Sequence, residues 1–224
     1  MPDGSTSLPA RLYLLAWDTT KLRLTGAARL AHLVRAGALT ELAQRELLVD
    51  VEGIATPADL DARTGDLALD GLLELVEESM PRPWKTWVTQ YARVTLDAVR
   101  AQLAADGLLR AGKKRVLGLF PSVEYALEGV QVAEALQQEV RQVIAGPVPV
   151  AEVSDRDAAL AALAAAAGLR TVVTPEDQKR RRERIEALTE RSGAAAPALR
   201  QIVREVRSAM IVAVTAATAT GVGT

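Results

Sequence analysis

The stretch VRAQLAADGLLRAGKKRVLGLF, residues 99–120, contains both kinds of structure that we predict for this chain. A helical pattern covers residues 84–106 and closes at Gly107, a residue type that commonly ends helices. After this glycine the pattern is no longer helical, and VLGLF with the break at Pro121 predicts a β-hairpin over residues 110–126. We therefore expect a helical protein with one small hairpin.

Helical spacing of apolar residues also fills most of the remaining chain. We predict further helices over residues 9–17, 26–47, 67–79, 129–144, 155–168, 176–190 and 197–217, and short strands over residues 20–25 and 47–55. The 224 residues have no internal repeat or long linker, and they suffice to bury a core without a disulfide or a metal. The predicted fold class is mainly α: a single compact multi-helix domain over residues 8–220 with a small β-hairpin, after a flexible tail of residues 1–7.

The composition excludes several kinds of active site. The chain has no cysteine, which rules out disulfides, thiolate metal sites and cysteine nucleophiles, and its one histidine, His32, rules out sites built from two imidazoles. Asp155 and Asp157 are the acidic pair most similar to a metal site, but they follow Ser154 as a helix start with acids in its first turn. We predict that the protein is not an enzyme and binds no metal and no cofactor.

The charge balance favours local binding surfaces over a global one. The formal net charge is −1, so no overall field attracts nucleic acid, and we expect no nucleic-acid partner. The run KRRRER, residues 179–184, fits a solvated helix face paired with acids better than a phosphate site. The most apolar stretch, residues 209–220, has 12 residues, whereas a membrane span needs roughly 18 to 20. We therefore predict a cytoplasmic protein without a membrane span.

A second basic group lies beside the tip of the predicted hairpin. Its cations are Arg110, Lys113, Lys114 and Arg115, and the apolar residues that follow them are Leu117, Leu119 and Phe120. Cations beside an apolar arm suit an anionic membrane surface. Because exposed apolar residues need a partner, a hairpin buried in the core or in a contact with a second copy explains the pattern equally well. The sequence leaves both interpretations open.

Five stretches of the chain occur in an order that points to a known family. They are LPARLYLLAWD (8–18), ELAQREL (41–47), TGDLALDGLLELVEES (64–79), the proline pair ahead of Trp87, and VRAQLAADGLLR (99–110) running into RVLGLF. Together they resemble the Golgi phosphoprotein 3 family, in its bacterial branch, over about residues 8–217. The resemblance implies a largely helical domain that binds phosphatidylinositol 4-phosphate at a membrane face. In eukaryotes such proteins also hold the cytosolic tails of glycosyltransferases.

The resemblance also implies a headgroup site. The family's pocket uses a tryptophan before a helix, an arginine within that helix, and two arginines three residues apart on a later helix. Arg35 and Arg100 match two of these positions, whereas Gly26 stands near the tryptophan position and Asp97 at the first arginine of the pair. Because each charge-assisted contact contributes about 1.5–3 kcal/mol, we expect weaker phosphate binding than in the family's complete site.

We therefore expect a peripheral membrane-associated protein at the inner face of the membrane, in which Arg35 and Arg100 bind an anionic or phosphoinositide lipid headgroup. The alternative is a cytoplasmic protein-interaction adaptor or scaffold without lipid affinity, whose hairpin contacts protein partners or forms a homo-oligomer. Binding to vesicles of defined lipids distinguishes the two.

Overall fold

The computed structural model describes residues 6–116, 120–194 and 200–208, and it confirms a mainly helical fold. The helices in this part of the chain are α1 (Leu8–Leu15), α2 (Ala27–Gln44), α3 (Leu67–Glu77), α4 (Trp84–Thr89), α5 (Ala92–Ala105), α6 (Val130–Ala145), α7 (Asp155–Ala166), α8 (Pro175–Arg180) and α9 (Arg182–Ala194), followed by helical residues 200–208. The strands are β1 (Trp17–Asp18), β2 (Arg23–Leu24), β3 (Leu48–Val51), β4 (Ile54–Pro57), β5 (Arg82–Pro83), β6 (Leu109–Val116) and β7 (Phe120–Leu127). They pair antiparallel as β1 with β2, β6 with β7, and β3–β4–β5 with β4 in the centre.

The core is built around α7, which is buried on all sides. Residues 158–166 of this helix are all buried, and the helix packs against α1, α2, α6 and α9. Alanine predominates in it, and such small side chains let several helices approach closely at native packing density. The helix begins at the predicted cap, where the Ser154 hydroxyl accepts a hydrogen bond of 3.0 Å from the Asp157 N–H.

Helices α1 and α2 also cross at close range. A Cβ atom on Gly37 would lie 2.5 Å from Leu12 Cδ1 and 3.2 Å from Pro9 Cα, so only glycine fits this crossing without a shift. The start of α1 is fixed to α2 by the buried Glu41, whose Oε2 accepts a hydrogen bond of 2.6 Å from the Leu8 N–H. The packing of these two helices orients one face of α2 towards α4 and α5.

Two predicted helices are wrong in their extent. The helix predicted over residues 84–106 is divided into α4 and α5 by Gln90 and Tyr91, and Tyr91 has the left-handed φ of 54°. The helix predicted over residues 176–190 is divided into α8 and α9 at Arg181. Neither break has a glycine or proline. The sequence therefore carries no helix-breaking residue that would have predicted either break.

The strand predicted over residues 47–55 is in fact the hairpin of β3 and β4. Its turn residues, Glu52 and Gly53, have φ values of 52° and 85°, as a two-residue hairpin turn with both central residues left-handed requires. The strand predicted over residues 20–25 is limited to the two residues of β2. In both places the alternation of apolar residues indicated β structure but not where the chain turns.

The hairpin predicted over residues 110–126 is confirmed as β6 and β7. Leu109 pairs with Leu127 at its root, and both side chains are buried. Pro121 does not end the strand, as its sequence position suggested, but pairs with Arg115 inside β7. A two-stranded sheet consists of edge strands, where the missing proline N–H removes no bond from a third strand.

Candidate anion-binding site and hairpin root

Arg35 extends from α2 towards the junction of α4 and α5 and is fully buried, with 0% of its surface exposed. Its Nη2 donates a hydrogen bond of 2.5 Å to the carbonyl oxygen of Tyr91. Its Nε and Nη1 have no hydrogen-bond partner among the residues that the structure describes. The family resemblance selected this arginine, and the structure places it inside the protein.

Burial lowers the pKa of Arg35 to about 10, so the guanidinium group is still protonated at neutral pH. Desolvation is the cause of this shift, and none of the ion pairs found in the described residues includes Arg35. This shift corresponds to about 3 kcal/mol of differential stabilisation of the neutral form. Arg35 is therefore a buried cation balanced by one carbonyl oxygen.

Tyr91 is a candidate site residue that the sequence did not indicate. Its side chain is 53% exposed, its φ is positive, and its carbonyl points to Arg35. A non-glycine residue in the left-handed region carries backbone strain of about 1–3 kcal/mol, which persists where neighbouring contacts hold it. The bond from Arg35 is one such contact. Because Arg35 lies 56 residues away in sequence, no local pattern around Tyr91 signals it.

Arg100 extends from α5 and contacts two aromatic rings. Its guanidinium carbon is 5.7 Å from the ring centroid of Tyr13 and 5.4 Å from that of Tyr125. Its Nη1 forms an ion pair of 3.2 Å with the exposed Asp97, one helical turn earlier. Burial raises the pKa of the Tyr13 hydroxyl, and the Arg100 cation opposes this shift. The contacts of Arg100 thus join α1, α5 and β7.

The structure brings Arg35 and Arg100 to the same pair of packed helices but to different contacts. Arg35 bonds to Tyr91 at the beginning of α5, whereas Arg100 lies nine residues further along. At 1.5 Å per residue, this separation is about 13.5 Å along the helix axis. Asp97, which the resemblance places at the first arginine of the pair, forms an ion pair with Arg100.

The predicted hairpin cations are partly described. Arg110 is exposed, and its Nε donates a hydrogen bond of 2.6 Å to Glu128 Oε1 at the hairpin root. Backbone pairing places Lys113 opposite Val123 and Lys114 opposite Ser122, with Arg115 opposite Pro121 and Phe120 opposite Val116. The side chains of these four hairpin residues, Lys113, Lys114, Arg115 and Phe120, lie outside the described set, as do Leu117 and Leu119 altogether.

Two general findings concern the described residues. None of their histidine and acidic side chains forms a group of three or more that could hold a metal ion. None of their helices is both long enough and apolar enough to cross a bilayer.

In the run at residues 179–184, Arg182 pairs with Glu186, as a solvated, acid-paired helix face predicts.

Comparison with known proteins gives one finding for nearly the whole chain. The model of a family described as Golgi phosphoprotein 3 (GPP34) matches residues 8–206. No curated protein matches the sequence.

Proposed function

Because this chain belongs to the Golgi phosphoprotein 3 family, we propose that it is a peripheral membrane-associated protein that binds anionic or phosphoinositide lipid headgroups. Arg35 and Arg100 supply the cations of the headgroup site, and the hairpin of β6 and β7 contacts the membrane. The protein works in the cytoplasm, at the inner face of the membrane. It acts by binding and carries out no chemical reaction.

The observation that carries this proposal is the buried, protonated Arg35. Protein interiors pair a buried charge with an opposite charge or with several hydrogen bonds, because an isolated one is costly. Arg35 has one hydrogen bond to a carbonyl, while Nε and Nη1 lack a partner in the described structure. A phosphate oxygen is the acceptor that a guanidinium group binds best, often through two parallel bonds. This supports an anionic ligand at Arg35.

Access to Arg35 requires a movement, because the side chain is fully covered. The segment best suited to move is Gln90–Tyr91, where two helices meet at a strained residue that is half exposed. A headgroup that accepts hydrogen bonds from Arg35 would replace the Tyr91 carbonyl as its partner. The relief of a strained φ at Tyr91 would offset part of the cost of opening.

The hairpin supports the membrane part of the proposal. Each cation close to an anionic leaflet contributes about 1 kcal/mol, and β6 contains four of them between Arg110 and Arg115. Val123 on β7 is exposed, which suits an apolar partner outside the protein. Because the whole chain has a net charge of only −1, such local cations are the source of any attraction to anionic lipid.

The proposal is tested by co-sedimentation with phosphatidylcholine vesicles that contain phosphatidylserine, phosphatidylinositol 4-phosphate, or neither. We expect the protein to bind the two anionic compositions and not the neutral one. Arg35→Met should weaken binding about 10- to 100-fold, the equivalent of one charge-assisted contact of about 1.5–3 kcal/mol. Arg93→Met, which removes an exposed arginine from α5, is the matched control and should bind as the wild type does. If Arg35→Met binds the anionic vesicles as tightly as the wild type does, Arg35 is not part of the headgroup site.

A second candidate function, a protein-interaction adaptor without lipid affinity, is favoured by one surface. Val49 and Val51 are exposed on β3, which is an edge strand of its sheet, and alternate residues of a strand share a face. Exposed apolar residues on a strand edge suit a protein partner. If the wild type sediments with none of the vesicle compositions, this candidate replaces the lipid-binding proposal.

A further inference from the structure

The described side chains of β7 become less buried away from the root of the hairpin of β6 and β7. Burial decreases along β7 towards the tip: Leu127 is buried, Tyr125 is partly buried and Val123 is 55% exposed. The innermost attachment is firm, because the N–H groups of Glu128 and Gly129 both donate hydrogen bonds of 3.0 Å to the carbonyl of Leu108. Tyr125 is the last residue before the strand becomes exposed.

Arg100 contacts the hairpin at this last covered residue. Its guanidinium carbon lies 5.4 Å from the ring centroid of Tyr125 and 5.7 Å from that of Tyr13 on α1. Both distances lie within the roughly 6 Å at which a cation is attracted to an aromatic ring. Arg100 therefore links the part of the hairpin beyond Leu127 to two helices of the body.

We propose that Arg100 is a clamp that positions the hairpin, and that binding of a phosphate-bearing anion by Arg100 releases it. The coupling, but not the clamp, rests on the proposed function. Asp97 is exposed and already occupies Nη1, so an anion approaches from the solvent side and competes with this carboxylate. A doubly charged phosphate attracts the guanidinium group away from the uncharged rings, because charge-assisted hydrogen bonds are stronger than cation–π contacts.

Two consequences follow for the hairpin. With Arg100 at the two rings, the hairpin keeps one orientation relative to α5. With Arg100 bound to an anion, β7 loses the contact between Tyr125 and Arg100, and residues 123–126 are held less firmly. Coupling of this kind is reciprocal, so displacing the hairpin strengthens anion binding by the same factor.

The clamp is tested without any lipid by residue-resolved amide hydrogen exchange. Arg100→Met should accelerate exchange of the β7 amides at residues 123–126 about tenfold, the equivalent of about 1.4 kcal/mol, and leave the amides of α7 unchanged. Tyr125→Leu, which removes the ring from the other side of the contact, should give the same local acceleration. The double variant should exchange no faster than either single variant, and Arg93→Met should exchange as the wild type does.

The coupling is tested by adding glycerophosphoinositol 4-phosphate, a headgroup without acyl chains, with its binding measured by calorimetry. Bound headgroup should accelerate hydrogen exchange of the same amides in the wild type. In Arg100→Met it should leave their exchange unchanged. Inorganic phosphate, tested in parallel, shows whether phosphate alone is sufficient or the lipid headgroup is required; either result supports the coupling.

Three results would overturn parts of the inference. Unchanged exchange in both Arg100→Met and Tyr125→Leu refutes the clamp. If Arg100→Met also accelerates amide exchange in α7, this variant has disturbed the whole fold. The exchange of Tyr125→Leu alone then decides whether the clamp exists. Headgroup binding without faster hairpin exchange refutes the coupling, and so does absence of binding of both the headgroup and inorganic phosphate. The proposed function is judged separately by vesicle co-sedimentation, and the clamp by the two variants.

Discussion

Replacing Arg35 by methionine tests whether this residue serves to bind a ligand or to stabilise the fold. Methionine keeps most of the length and apolar surface of the side chain and removes its charge. The lowered pKa of about 10 corresponds to about 3 kcal/mol of desolvation cost, which the variant no longer carries. The variant loses one charge-assisted hydrogen bond to Tyr91, which contributes about 1.5–3 kcal/mol. We therefore expect the free energy of unfolding to rise by about 0–1.5 kcal/mol.

The measurement is urea unfolding at neutral pH, followed by the fluorescence of the buried Trp17, Trp84 and Trp87. For a chain of this size, the expected change raises the melting temperature by at most about 3–6 °C. Glu41→Gln is a contrasting variant, because Glu41 is buried and pairs with Arg45 at 2.5 Å. Loss of its charge weakens the hydrogen bonds from Leu8 and Arg45 and should lower the free energy of unfolding by about 1.5–3 kcal/mol.

The pH dependence gives an independent check on Arg35. Its pKa is lower in the folded protein than the ordinary value of an arginine, so the unfolded chain holds the proton more tightly. The unfolding free energy of the wild type should therefore rise as the pH increases above about 10, relative to Arg35→Met. A loss of more than about 3 kcal/mol in Arg35→Met at neutral pH would refute the reasoning and make Arg35 a structural anchor of Tyr91.

Three other perturbations have defined outcomes. Asp97→Asn frees Arg100 from its exposed ion pair, so affinity for anionic vesicles should rise about threefold to tenfold in co-sedimentation, and unchanged affinity would show that Asp97 does not compete. Gly37→Ala forces Leu12 to shift and should cost about 1–3 kcal/mol in urea unfolding, whereas wild-type stability would mean that the helix crossing adapts. Burial lowers the pKa of His32, so the unfolded chain binds its proton more readily; stability should fall as the pH decreases through about 6.5, and His32→Gln should lose this slope.

Much of the fold could be predicted from the sequence because its signals are local. Ser154 and Thr174 start their helices as expected, since a hydroxyl two or three residues before an unpaired N–H is sufficient to cap it. Gly107 ends α5 with a φ of 73°, which glycine adopts without strain. The ordered stretches of apolar and charged residues also identified the family, whose model matches residues 8–206.

The sequence determined the helices, the β6–β7 hairpin and the two arginines, and only the tertiary structure decided what surrounds them. The break at Tyr91 was missed because a carbonyl freed from the helix is bound by Arg35, 56 residues earlier. Arg35 was recognisable as a cation, but its burial depends on how α2 packs against α4 and α5. Arg100 contacts the rings of Tyr13 and Tyr125, residues far apart in the chain, because the fold brings α1 and β7 to this arginine of α5. Periodicity reports which face of an element is apolar, and packing alone decides which charged groups that face encloses.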